Sequence, residues 1–151
     1  MRVKRPVIRA ILMGLLLAST AYAAWGWLSP YARRSDSGAR CKVVSVMLRR
    51  DQSFFWLDIH LSVLPGQIHD IMKPVRLHTA VGKVLEPADT TLGGDKDHGN
   101  SDLWYKFWLE SDDIQQVLTL KINDGTLVIK ADPGMPELDS VGSAHYLTNN
   151  W

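Results

Sequence analysis

Two stretches of this 151-residue chain alternate large aromatic rings with charged side chains, a pattern that could form a binding surface. In residues 54–63 and 102–110 every second position is apolar, and the positions between hold rings and charges. Exposed, clustered aromatic side chains often mark a surface for a partner or a ligand. The sequence therefore predicts a partner or ligand surface formed by Phe54, Trp56, His60, Trp104, Lys106 and Trp108. The alternative is that the linker, the C-terminal tail or a loop covers these rings.

A stretch rich in acidic side chains gives a second candidate site. Its oxygen-bearing side chains, within residues 93–102, are those of Asp95, Asp97, Asn100 and Asp102. Closely spaced hard oxygen ligands suit Ca²⁺, which takes about six to eight of them. The spacing departs from an EF-hand loop, because Gly99 and Lys106 stand where oxygen ligands are expected. Ca²⁺ is therefore the one cofactor that the sequence suggests, and the alternative is a solvated loop that holds no cofactor.

The histidines are scattered and match none of the H-x-H, H-E-x-x-H or C-x-x-C arrangements that bind metals. His60 and His78 both fall on polar faces of predicted strands, so they could meet across a sheet. Either one could then act as a general base. Cys41 is the only cysteine, so an intrachain disulfide is impossible. We expect its thiol to be buried at the start of a strand, and the alternative is a disulfide to another chain.

Motifs for nucleophilic catalysis and for nucleotide binding are absent from the chain. It contains no G-x-S-x-G elbow, no phosphate loop and no G-x-G-x-x-G fingerprint. Catalytic groups can lie far apart in sequence, so this absence lowers the expectation of an enzyme without removing it. The sequence favours a protein that is not an enzyme.

The elements that position these side chains are short strands. From residue 41 onward apolar residues repeat with a period of two, which is typical of half-buried strands. The strongest turn signal is Asn123-Asp124-Gly125, because Asp-Gly readily adopts the positive φ that a hairpin needs. About seven short strands predict an all-β fold, a single immunoglobulin-like antiparallel β-sandwich. The alternative is a small closed barrel. The predicted strands lie near residues 44–48, 54–63, 75–79, 83–86, 103–109, 118–122 and 127–131.

The first 28 residues predict an apolar helix that directs export. Four basic residues precede an uncharged run from Ala10 to Leu28, and Ala21-Tyr22-Ala23 has the small-x-small pattern of a cleavage site. As a signal peptide the segment would be removed after Ala23. As a transmembrane anchor the run would span about 28 Å, at ~1.5 Å rise per residue. Both alternatives place the rest of the chain in the periplasm or outside the cytoplasm, and an anchor in the inner membrane would keep the N-terminus cytoplasmic.

Composition divides the chain into residues 1–28 (export signal or anchor), 29–40 (linker) and 41–151 (β-sandwich domain). The linker is predicted from Pro30, Gly38 and a serine-rich stretch without apolar periodicity. Residues 41–151 contain ten Lys or Arg and fifteen Asp or Glu, so the exported domain is acidic although the whole chain has a formal net charge of +1. Nucleic acid is therefore excluded as a partner, because phosphate binding needs clustered basic residues.

These observations favour an exported, non-catalytic binding or assembly module of the cell envelope, with another envelope protein as its partner. One alternative is a Ca²⁺-stabilised or carbohydrate-binding domain. The other is a small envelope enzyme with a histidine general base. The C-terminal Trp151 is predicted to pack on the domain over Trp104 or Trp108, because a large ring is costly to leave in water.

Overall fold

A computed structural model describes residues 5–28, 30–31, 36–95 and 99–151 of the chain. The folded part is mostly β and consists of two antiparallel sheets, and a helix precedes it at the N-terminus. The predicted β-rich class and the predicted N-terminal apolar helix are therefore confirmed. One hydrophobic core contains side chains from both sheets.

The sheets contain five and four strands. The larger one has the strand order β5-β6-β2-β1-β9, and the smaller one has the order β4-β3-β7-β8. Each pair of neighbouring strands is antiparallel. The elements in chain order are α1 (Arg5–Leu28), β1 (Cys41–Asp51), β2 (Phe54–Val63), β3 (Arg76–Thr79), β4 (Val84–Leu85), β5 (Asp89–Asp95), β6 (Gly99–Glu110), α2 (Ser111–Ile114), β7 (Leu118–Ile122), β8 (Gly125–Lys130) and β9 (Ser143–Tyr146).

Helix α1 is long and apolar enough to cross a membrane. The segment Pro6–Trp25 has 20 residues and a mean hydropathy of 1.8, and none of it is buried against the rest of the chain. Length and composition alone do not separate an anchor from a signal sequence, since a signal sequence at the N-terminus has the same properties.

The core lies between the inner faces of the two sheets. On β2 the inward residues Leu57, Ile59 and Leu61 are fully buried, and between them the polar residues remain partly exposed. Leu77 of β3 and Leu120 of β7 provide buried side chains from the other sheet. Burying each such side chain fully contributes ~1.5–3 kcal/mol, so the period-two pattern of the sequence fixes which face of β2 points inward.

The described residues form nine strands, so the prediction of about seven missed two, and both are edge strands. Strand β5 has the sequence Asp-Thr-Thr-Leu-Gly-Gly-Asp, and β9 contains Ser143-Ala-His-Tyr146. Neither shows apolar alternation, and glycine and aspartate are uncommon in strands. Both strands form through pairing with a long neighbour, β6 for the first and β1 for the second. Residues 93–95 and 99–102 of the acidic stretch therefore lie in the paired strands β5 and β6.

Residues 36–40, within the predicted linker, lie along the β7–β8 hairpin. The carbonyl of Gly38 accepts the Asp124 N–H at 3.0 Å. A Cβ on Gly125 would stand 2.0 Å from the Ala39 nitrogen, so the close approach of the two backbones requires glycine at that position. Tyr31 and Ala39 are 2% and 0% exposed. Two residues of the predicted linker therefore belong to the core.

Candidate functional site

The outer face of the five-stranded sheet brings together the six residues that the sequence assigned to a partner or ligand surface. We call Phe54, Trp56, His60, Trp104, Lys106 and Trp108 the aromatic surface. Strands β2 and β6 pair so that Trp56 stands opposite Trp108 and His60 opposite Trp104. Outward side chains of directly opposed residues lie close enough to touch. The antiparallel register therefore merges two separate sequence patterns into one surface.

One end of the aromatic surface consists of two stacked rings and, beside them, the Trp56 indole, which is hydrogen-bonded to a carboxylate. Phe54 and Trp108 stack with ring centroids 4.3 Å apart and an interplanar angle of 27°. The indole N–H of Trp56 donates to Oδ2 of Asp51 at 3.2 Å. These contacts fix the ring orientations before any partner arrives, which reduces the entropy that binding would cost.

The other end of the aromatic surface combines a stacked ring pair with a contact between a histidine and a carboxylate. His60 and Trp104 stack almost in parallel, with centroids 4.6 Å apart and an angle of 9°. Nε2 of His60 lies 3.0 Å from Oδ1 of Asp102, and the Ser101 hydroxyl donates to Oδ2 of the same carboxylate at 2.8 Å. The His60 contact, and then the Ser101 contact, lower the pKa of Asp102. A Cβ on Gly93 would lie 2.8 Å from the Trp104 ring, so a glycine there lets the ring lie against β5.

His60 stands beside a carboxylate, as a base does beside its orienting group, but among the described residues no hydroxyl or thiol is hydrogen-bonded to it. Within the described part of the chain, the side-chain hydrogen bond of His60 goes to Asp102 and not to a hydroxyl or a thiol. His78 lies on β3 of the other sheet, so the expectation that the two histidines meet across one sheet is wrong. Cys41 is fully buried, and burial raises the pKa of its thiol to about 11, so it stays protonated.

The rings of the aromatic surface are partly open to solvent. Trp104 is 39% exposed and Trp108 is 43% exposed. The C-terminal Trp151 packs elsewhere: its ring stacks on Tyr146 at 4.2 Å, and its indole N–H donates to the Tyr31 hydroxyl at 2.7 Å. The expectation that Trp151 covers Trp104 or Trp108 is therefore wrong, although this ring does pack against the core as expected.

The four candidate Ca²⁺ ligands are only partly described. Asp97 and the side chain of Asp95 lie outside the described residues, Asn100 is exposed on β6, and Asp102 is engaged by His60 and Ser101. Among the side chains that the structure describes, no three His, Cys, Asp or Glu residues are grouped so that they could hold a metal ion. The Ca²⁺ hypothesis stays a prediction.

A buried polar network that the sequence did not reveal ties the β2–β3 loop to the β7–β8 turn. Oδ1 of Asn123 accepts the Asp70 N–H at 2.9 Å and lies 3.0 Å from Nδ1 of His69. Because that oxygen can only accept, Nδ1 carries the proton, and Nε2 then accepts from the Tyr105 hydroxyl at 3.0 Å. Burial raises the pKa of Tyr105 to about 12, so its hydroxyl keeps the proton that it donates.

The neutral state of His69 predicts that the domain loses stability in mild acid. Burial, the largest cause, lowers the pKa of His69 below its ordinary value of 6.5. The unfolded chain then binds this proton more readily than the folded chain, so stability is complete above about pH 6.5 and falls as the pH drops through that value toward the folded pKa. We expect the melting temperature to decline between pH 7.5 and pH 5, and His69→Gln to flatten that decline.

Two other histidines provide controls for this pH experiment. Burial, followed by the charges of Lys121 and Arg76, also lowers the pKa of His78. His78→Gln should therefore remove a further part of the decline of the melting temperature with falling pH. His145 is exposed on β9 and lies outside this network, so His145→Gln provides a comparison for the effect of the substitution itself. If the melting temperature falls equally with pH in the wild-type chain and in His69→Gln, His69 is not the group that titrates.

A cavity of about 370 Å³ opens beside β5, on the inner side of the five-stranded sheet. Thr90 and Leu92 of β5 line it, together with Tyr105. Sequence reasoning missed this cavity because β5 itself was not predicted. The threonine and leucine at alternate positions of β5 were the signal that could have shown a common face.

Comparisons with family models, curated proteins and solved structures find no match. The surfaces described above therefore carry the functional argument.

Proposed function

We propose that this chain is an exported, non-catalytic binding module of the cell envelope, and that its aromatic surface contacts another envelope protein. The observation that supports the proposal is the incomplete burial of Trp104 and Trp108, at 39% and 43% exposed, on an ordered sheet face. Large aromatic rings that are held in place and left open to solvent are typical of the centre of a protein–protein interface.

Export rests on the N-terminal helix. Its basic start and its apolar segment Pro6–Trp25 fit either a cleaved signal or a retained inner-membrane anchor. In both cases the folded part would lie outside the cytoplasm, with the basic end on the inner side. Measuring the intact mass of the mature protein distinguishes the two, because cleavage after Ala23 removes the first 23 residues.

The finer architecture that we propose is an immunoglobulin-like sandwich of the two sheets. It is supported by the single core, to which both sheets contribute buried apolar side chains. Because nearly all large inward side chains are used in that core, the outer sheet face and the sheet edges are the places where a partner could bind.

A protein partner fits the aromatic surface better than a glycan does. Sugars stack on the open face of an indole, whereas Phe54 already covers one face of Trp108 and His60 covers one face of Trp104. The rings also alternate with both signs of charge, since Lys106 lies 3.6 Å from Asp58. Mixed charges around an apolar centre resemble the rim of a protein interface.

Photo-crosslinking from the aromatic surface tests the proposal. The full-length chain is expressed in its native envelope with p-benzoylphenylalanine at position 104 or at position 108. We expect each position to crosslink the same partner protein, so that the two adducts have the same mass. Val128 is the matched control, because it is 43% exposed on β8 of the other sheet. The proposal predicts no such adduct from position 128. Absence of the adduct at both tryptophan positions, or an equal yield at the control, would contradict it.

Alanine variants separate a binding role of the rings from a structural one. Because they are partly exposed, Trp104→Ala and Trp108→Ala should cost clearly less than the ~3–5 kcal/mol typical of a buried ring and should fold normally. Each should remove the adduct that forms from the other position. Loss of folding in both variants would instead show that the rings are structural. Binding of soluble glycans to the wild-type chain but not to these variants would favour the carbohydrate alternative.

A further inference from the structure

The two sheets differ in width, and the inner face of β5 has little opposite it. Leu92 and Thr90 are inner-face residues, because they pair with the buried Leu103 and Tyr105 of β6. Leu92 nevertheless remains 41% exposed. The corresponding edge strand of the other sheet, β4, has only the two residues Val84–Leu85. The core is therefore incomplete at this corner of the domain.

The cavity beside β5 occupies this incomplete corner. It has a volume of about 370 Å³, and its walls include Pro74, Val75, Pro87, Leu92 and Tyr105. These side chains form an apolar part of the wall, and His69, Lys73, Glu86 and Thr90 add polar groups around it. The volume lies within the range of ~300–1,000 Å³ found for ligand sites. The cavity therefore offers a place for one large apolar side chain.

The histidine and the charged side chains around the cavity are already engaged. Both ring nitrogens of His69 have hydrogen-bond partners. The Lys73 ammonium binds the carboxylate of Asp124, and Glu86 lies 3.5 Å from Arg76. Recognition inside the cavity would consequently rest on shape and apolar contact rather than on an ion pair.

Strand β5 is also a free sheet edge. It stands first in the strand order, and no described residue adds a strand beyond it. The outer edge of such a strand presents backbone groups that can pair with another extended chain. Side chains of a strand added there would alternate between the two faces, so every second one would point toward the cavity.

We propose that β5 accepts an extended segment of a partner protein as an additional strand, with an apolar side chain of that segment in the cavity. This site is separate from the aromatic surface and does not depend on its function. The segment should carry a basic residue near the end that pairs beside Asp89, because Asp89 is exposed at the start of β5. Opposite charges on facing residues stabilise a strand pair.

A second copy of this chain fits the same edge poorly. Every charged residue of β5 is acidic, so pairing two β5 strands would offer the exposed Asp89 no basic partner. Like charges that face each other across a strand pair are destabilising. The charge pattern therefore favours a different chain with a basic, alternating segment.

Selection from a phage-displayed library of random linear nine-residue peptides tests this inference on the full-length chain in detergent. We expect the enriched peptides to have apolar residues at alternate positions, to carry Lys or Arg near one end and to lack proline elsewhere. A synthetic copy of an enriched peptide should slow amide hydrogen exchange in β5, which is where the added strand would pair.

Lysine substitutions at two residues of similar exposure, Leu92 and Val128, locate the binding site of that peptide. Leu92→Lys should weaken its affinity by about tenfold or more, because it puts a charge on the apolar part of the cavity wall. Val128→Lys should change it by less than about twofold, since Val128 lies on the other sheet. If Leu92→Lys does not fold, Leu92→Thr provides the same comparison with a residue that suits a strand.

Three results would overturn the inference. The first is no enrichment on the wild-type chain relative to the Leu92→Lys chain. The second is a peptide that needs Leu92 yet leaves hydrogen exchange in β5 unchanged, which would make the cavity a simple apolar pocket. The third is a dimer in sedimentation that Leu92→Lys dissociates, which would make a second copy the occupant.

Discussion

Replacing Asn123 by alanine is expected to lower the free energy of unfolding by about 3–5 kcal/mol, a large part of the stability of a small domain. Its Oδ1 accepts the Asp70 N–H and the Nδ1–H of His69, and its Nδ2 donates to the Ala39 carbonyl at 2.5 Å. Alanine would leave all three groups without these partners. His69 is only 7% exposed, so water can replace the lost bond only in part.

The backbone of Asn123 adds a second cost that a matched variant can separate. Its φ of 52° is left-handed, a conformation that costs alanine about 1–2 kcal/mol and glycine little. Asn123→Gly should therefore be more stable than Asn123→Ala by about 1 kcal/mol while losing the same three hydrogen bonds. Urea denaturation monitored by tryptophan fluorescence measures both variants. A loss below about 1 kcal/mol in Asn123→Ala would mean that water substitutes for the side chain.

This dual role of Asn123 shows where prediction from sequence ends. The Asn123-Asp124-Gly125 turn could be predicted because a hairpin needs residues that tolerate positive φ. The contacts of the same side chain could not, because His69 lies 54 residues earlier in the chain and only the folded loop brings it near. Local pattern fixes φ and the inward face of a strand, whereas long-range pairs depend on how the sheets are connected.

For the aromatic surface, too, the sequence predicted the local features and not the long-range contacts. Period-two alternation predicted which residues of β2 and β6 point outward, and the structure places them so. It did not predict that Phe54 stacks on Trp108 or that His60 stacks on Trp104, since those pairs depend on the register of strands far apart in sequence. Strand β5, and with it the cavity, was missed because its neighbour β6 and not its own composition makes it a strand.

The boundary of the folded domain leads to the second large expected effect, that of Tyr31→Ala. Tyr31 precedes β1 by ten residues, but it is 2% exposed and its N–H donates to the Leu147 carbonyl at 2.7 Å. Its hydroxyl donates to the Ile129 carbonyl and accepts the indole N–H of Trp151. Losing a buried ring of this size should cost about 3–5 kcal/mol. Tyr31→Phe keeps the ring and should cost only about 1–2 kcal/mol.

A chain that begins at Cys41, the start of the first strand, should for the same reason be much less stable than one that begins at Ala24. It lacks Tyr31, the buried Ala39 and the backbone bond from Asp124 to Gly38. We expect its melting temperature to be lower by at least about 15 °C, measured by circular dichroism. Equal melting of the two chains would show that residues 29–40 are a linker in the energetic sense as well. Together with a loss of stability in Tyr31→Ala, the expected difference would mean that the domain extends back to Tyr31, three residues after the last residue of α1. A retained helix would then hold Tyr31 within about 10 Å of the membrane surface.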